Sequence, residues 1–148
     1  MSELSEIVIT ISERLDGYLT KIQGEGYGRH TEYPNQFRVR NGSAIVNISV
    51  QQWGEEEAAV LFRAWVIQKA EMTPDLMYYL LRKNESMRFG AFGIDEEHDI
   101  FFEHSILGST CDIEEFRASL KAVASISDGL DDEIKEQFGG LRAIDVSD

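Results

Sequence analysis

Cys111 is the sole cysteine of this sequence and its first candidate for covalent chemistry. It immediately precedes a predicted helix start at Asp112, where amide donors and the helix macrodipole lower a thiol's pKa. His104 lies upstream on a predicted strand that ends nearby, and a thiol with a base in reach does nucleophilic or redox chemistry. No local signature surrounds Cys111, and no third group can be named to orient His104. A small half-buried residue beside a helix cap is the ordinary role for such a cysteine. A thiol-dependent enzyme or redox sensor using Cys111 with His104 therefore stands as the alternative reading, and no catalytic residue is assigned.

Asp95, Glu97, His98, Asp99 and Glu103 gather hard ligands around one predicted turn. An EF-hand loop needs glycine at its sixth position and a carboxylate at its twelfth. Counted from Asp95 those positions are Ile100 and Ile106, so the run reads as a solvated hairpin tip, and no metal or other cofactor is expected. A second acidic run, Asp128, Asp131, Asp132 and Glu133, is assigned to the wet side of the last helix. Gly24-Glu25-Gly26-Tyr27-Gly28 lacks the spacing of a dinucleotide fingerprint, with no apolar strand leading in and no capped helix leading out.

The elements that carry these residues follow from hydrophobic periodicity. Leu4, Ile7, Val8, Ile11, Leu15, Tyr18, Leu19 and Ile22 keep the three-and-four spacing of a helix with one buried stripe, ending near Gly24. Gly24 to Gln36 reads as a loop with at most a short strand. Phe37 to Arg40, Ala44 to Trp53 and Ala58 to Gln68 read as strands, the first two joined by the turn pair Asn41-Gly42. The third is apolar on both faces, which makes it central. Thr73-Pro74 starts a second helix that runs to about Ser86. Phe89 to Ile94 and Ile100 to Leu107 read as strands, with bends or close approach at Gly90 and Gly93. Asp112 and Glu115 have capping-box spacing before a last helix that stops at Gly139-Gly140. The expectation is an α+β fold of order α-β-β-β-α-β-β-α, with a largely antiparallel five-stranded sheet and helices on one face.

A length of 148 residues, 43% of them apolar, suits one self-folding domain over residues 1–140, with 141–148 expected to fray. The 27 acidic against 14 basic side chains leave a net charge of -13, which repels a phosphate backbone or an anionic membrane and suits basic or amphipathic client segments. Neither nucleic acid nor membrane is an expected partner. Glu3, Glu6, Glu13 and Asp16 interrupt the start of the chain, so it reads as neither signal peptide nor membrane span, and a cytoplasmic location is expected.

With catalysis set aside, aromatic and apolar surface is the best functional hint. Trp53, Phe62, Trp65, Tyr78 and Tyr79 concentrate in the predicted sheet and second helix, and a sheet with helices on one face leaves the other for a partner or a second copy. These five are the candidate residues for peptide binding or a dimer interface.

Leu80-Leu81 through Asn84, Met87-Arg88-Phe89-Gly90, Phe92-Gly93-Ile94-Asp95, Ile100-Phe101-Phe102-Glu103 and the last helix to Phe138-Gly139-Gly140 resemble the YbjN family of bacterial proteins, the cyanobacterial-type members above all. The resemblance covers roughly residues 44–140 and rests on packing patterns. It implies a fold similar to the type III secretion chaperones, which are small, usually dimeric proteins that hold an extended client peptide against apolar surface. No catalytic residue carries over. Together these readings describe a non-enzymatic protein- or peptide-binding module, chaperone-like or regulatory, that forms a homodimer.

Overall fold

The structure is a computed structural model that describes residues 3–146. Helix α1 (Glu6–Gln23) buries Val8, Ile11, Leu15 and Leu19 and ends at Gly24, whose positive φ of 61° turns the chain out while its amide reaches Thr20 O at 3.0 Å. Among the described residues six strands follow where five were expected: β1 (Tyr27–Arg29), β2 (Gln36–Asn41), β3 (Ala44–Gln52), β4 (Ala58–Ile67), β5 (Ala91–Ile94) and β6 (Ile100–Leu107). The additional strand is β1, which falls within the predicted loop. Its short, glycine-containing sequence carries little strand propensity, and contacts with α1 hold it in place. Tyr27 OH donates to Asp16 Oδ1 at 2.6 Å, and Arg29 donates to Glu13 Oε1 at 2.6 Å.

The sheet order is β1-β2-β3-β4-β6-β5, and every neighbouring pair is antiparallel. β4 is central, as its two apolar faces require. Val60, Phe62, Ala64 and Val66 point to the helical side, and Leu61, Arg63 and Trp65 to the other. Helices α2 (Pro74–Ser86) and α3 (Ile113–Phe138) join α1 on that side. Each is capped as its sequence demands: Thr73 Oγ1 accepts the Leu76 amide at 3.2 Å and Asp112 Oδ1 accepts the Glu115 amide at 2.8 Å. The buried apolar side chains form one cluster between the helices and the sheet.

Residues 141–148, expected to fray, are ordered as far as Val146; residues 147 and 148 lie outside the described residues. Gly139 and Gly140, at φ 81° and 93°, reverse the chain. Leu141 then pairs with Gln68 through reciprocal amide bonds of 2.7 and 2.8 Å, and a 3-10 turn over Ala143–Asp145 packs against β3 and β4. A capped helix end looks like a stop in the sequence; the open end of β4 is what recaptures the chain.

The acidic run of α3 is only partly wet, which corrects the expectation for it. Asp131 is 3% exposed and continues the buried stripe of Ser127 and Ile134. Ser43 Oγ donates to Asp131 Oδ2 at 2.6 Å and also touches Asp128 Oδ1, although a hydroxyl has only one proton to give. The second contact is satisfied when one carboxyl is protonated, and burial, ahead of the neighbouring Asp132 charge, pushes Asp131 up while Ser43 holds Asp128 down. A native carboxyl raised above its unfolded value stabilises the fold fully below the ordinary aspartate range and loses that contribution as pH rises through the native value. Asp131→Asn, whose amide supplies the missing proton permanently, is therefore expected to gain stability over the wild type as pH rises from 4 to 8. Thermal unfolding across that range checks this, and a constant offset would sink it.

Candidate functional site

The strand alternation that buries Phe37, Val46, Phe62 and Phe102 necessarily presents the intervening residues on a face that α1, α2 and α3 leave uncovered. Cross-strand register fixes their neighbours. Arg38 stands opposite Asn47, Asn47 opposite Arg63, and Arg63 opposite Glu103; in the next row Arg40 stands opposite Ile45, and Trp65 opposite Phe101. Two shallow cavities of about 340 and 300 Å³ adjoin on this face, sharing Gln36, Phe37 and Asn47, and a smaller one of about 130 Å³ continues past Trp65 to Ala143 and Val146. The result is a trough running from β1 to the C-terminal segment.

Trp65 is the rigid point of the trough. Its indole Nε1 donates to Asp95 Oδ2 at 2.8 Å. Asp95 Oδ1 accepts the amides of Glu97 and Asp99, both at 2.9 Å, so the acidic turn is built around this carboxylate. Burial alone would raise the Asp95 pKa, but these hydrogen bonds and the nearby Arg63 hold it below the usual range. Beside Trp65, the Arg63 guanidinium lies 3.8 Å from the centre of the Phe101 ring and donates to Glu103 Oε2 at 2.6 Å. The sequence gathered Asp95 and Glu103 as possible metal ligands; their oxygens serve Trp65 and Arg63 instead. Among the described residues, no group of three or more His, Cys, Asp or Glu side chains is arranged to hold a metal ion.

The five candidate residues separate. Trp53 is 64% exposed at the β3–β4 turn, and Trp65 lines the trough. Phe62 is fully buried beneath the helices, its ring 5.3 Å from that of Phe116, so a bound segment cannot touch it without opening the core. Tyr78, 69% exposed, lies on the outer side of α2 with Met77 and Leu81. Tyr79 turns inward, its ring 5.3 Å from Phe138; burial, then the Glu133 carboxylate beside it, pushes its phenol up to about 12. Both tyrosines border a cavity of about 530 Å³ shared with Phe138. Leu61, Ile45 and Arg38 were missed as trough residues. Period-two alternation would have found the first two, but only register sets Leu61 opposite Ser49 and Ile45 opposite Arg40.

Cys111 is a core residue, 2% exposed. Its Sγ donates weakly to the Asp112 carbonyl at 3.6 Å, and burial, with Glu115 and Asp112 nearby, pushes the thiol up to about 12. That is the opposite of nucleophile activation. Among the described residues no hydrogen bond joins it to His104, which is half-buried, edge-on to Phe89 at 5.6 Å and lowered in pKa by burial.

Residues 4–146 match the TY-Chap1 family, described as T3SS (YopN, CesT) and YbjN peptide-binding chaperone 1. The chain belongs to this family. Among curated proteins, none matches the sequence. Solved structures repeat the TY-Chap1 fold. A chain of the HopA1-SchA chaperone-effector complex superposes with a TM-score of 0.66 at 8% identity, covering 88% of this chain and 99% of that one. A chain of the ExsC-ExsE complex superposes with a TM-score of 0.60 at 16% identity, covering 86% and 96%. Such identities speak to fold, which is the mixed α+β architecture expected from the sequence. TY-Chap1 is a family of peptide-binding chaperones, so the function expected for this chain, a peptide-binding module, is the one its family has. No helix among the described residues is long and apolar enough to cross a membrane.

Proposed function

We propose that this TY-Chap1 chain works in the cytoplasm as a homodimer, chaperone-like or regulatory, that holds an extended client segment on the helix-free face of its sheet and does no chemistry of its own. The trough around Trp65 carries the reading. A half-buried indole anchored from its edge loses little freedom on binding, and aromatic anchors of this kind dominate interfaces. Trp53 at the β3–β4 turn would extend the contact, and the edge strands β1 and β5 offer backbone groups for an added strand. Phe62 supports the face from below without reaching the client.

Trp65→Ala is expected to keep its circular dichroism spectrum and to weaken client binding by about 2 kcal/mol or more, the scale of an interface hot spot. Titration of a client captured from native cytosol, wild type against variant, checks this; undiminished affinity would move the site off this face.

The outer side of α2 is the proposed dimer surface. Tyr78 and Leu81 are 69% and 70% exposed there, with Met77 at 40%, a concentration of large apolar groups that water disfavours. Light scattering on the purified protein should give the mass of two chains, and Leu81→Asp should give that of one. A wild-type monomer at micromolar concentration would refute the dimer.

A further inference from the structure

The chain itself fills one end of the trough. Ala143 and Val146 line that end beside Ile45, Trp65 and Gln68, and Leu141 just before them exchanges both backbone hydrogen bonds with Gln68, at 2.7 and 2.8 Å. Residues 141–146 thus take the place of an extended segment that has reached the end of β4. The hold on them is slight. None of their six side chains is buried, and a single bridge stands where β3 and β4 are paired along their length. Arg142 donates to Asp132 Oδ1 at 2.6 Å and Lys135 to Asp145 Oδ2 at 2.8 Å, which ties the segment to α3 through surface ion pairs that contribute little. The tether is Gly139-Gly140, both at positive φ, and glycine loses the most freedom on being fixed. A segment with so few buried contacts opens locally while the core stays folded. Trp65 does not depend on it, since Asp95 holds the indole.

Resting on the proposed peptide-binding role of this face, we infer that residues 141–146 are a tethered occupant of the trough: they close its Trp65 end, and an extended client segment with aliphatic side chains seats there only when they swing out about Gly139-Gly140. Gln68 has one amide proton, and the Leu141 carbonyl accepts it, so client and segment exclude each other at the end of β4. A short tether keeps the segment at an effective concentration of about millimolar. A free segment of equal intrinsic affinity therefore competes poorly, and its apparent affinity is lowered by the fraction of molecules that are open.

The probe is a synthetic peptide with the sequence of residues 139–146, beside a control peptide carrying Leu141→Gly and Val146→Gly. Each is titrated to about millimolar concentration into the full-length, isotope-labelled protein while NMR follows the Trp65 indole N–H, told from that of Trp53 by a Trp53→Phe variant. Wild type is compared with Leu141→Pro/Arg142→Ala/Asp145→Ala, which lacks the amide given to Gln68 and both ties to α3, and with the milder Arg142→Ala/Asp145→Ala, all checked for folding by circular dichroism. In wild type the Gln68 amide should exchange with solvent about ten-fold or more faster than amides in the middle of β4. In the variants the Trp65 signal should move before any peptide is added, and the peptide should restore it, binding about ten-fold or more tightly than to wild type, while the control peptide does not. Slow Gln68 exchange in all three proteins, or equal peptide affinity for them, would make residues 141–146 a fixed wall and overturn the tethered occupant while leaving the binding face standing. Equal binding of the control peptide would overturn the aliphatic client. Variants that open yet bind neither peptide would overturn both the occupant and the peptide-binding role of this end.

Discussion

Phe62→Ala is expected to destabilise the fold by about 3 to 5 kcal/mol, the cost of removing a buried aromatic ring and leaving part of its volume empty. Phe62 is fully buried on the central strand, between Ile48 and His104 in the neighbouring strands and against Phe116 of α3. In a chain of this length the melting temperature should fall by about 6 to 20 °C. Urea unfolding followed by circular dichroism measures the loss, and the same experiment on Trp65→Ala supplies the contrast. Three residues further along β4, on the other face, Trp65 should cost much less stability and much more binding. A Phe62→Ala protein within about 1 kcal/mol of wild type would contradict the core position, since removing a whole buried ring costs well above that.

Gly90→Ala should come close behind, at about 2 to 5 kcal/mol, because two penalties combine. At φ 79° an alanine carries the strain of a left-handed backbone, about 1 to 2 kcal/mol. Its Cβ would also lie 2.7 Å from the Glu103 carbonyl oxygen and 2.8 Å from a Phe102 ring carbon, so the strand pair must part, at about 1 to 3 kcal/mol more. What gives way is the entry to β5, where the Phe92 amide donates to Asn84 Oδ1 at 2.6 Å and the Phe92 ring stacks edge-on against Phe102 at 5.1 Å. Hydrogen exchange should therefore show lost protection in β5 beyond that in β3. A variant as stable as wild type, with β5 equally protected, would mean that the turn at Gly90 is not built as described.

Residue type and spacing alone determined the helices, because the α1 stripe, the Thr73-Pro74 and Asp112 starts and the terminal glycines are local signals that do not depend on what packs against them. They also determined the centrality of β4, because a strand apolar on both faces belongs between neighbouring strands and not at an edge; a layer covering each face was expected with it, and the helices cover only one. Tertiary structure decided what a linear pattern cannot express. β1 exists because α1 holds Tyr27 and Arg29, and residues 141–146 are ordered because β4 leaves an open end beside them. Asp131 reads as solvated by residue type, yet the β2–β3 turn closes over it and Ser43 gives it a partner. Phe62 and Trp65 look alike in sequence and differ in function because alternation sends them to opposite faces, and only the helices decide which face is inside.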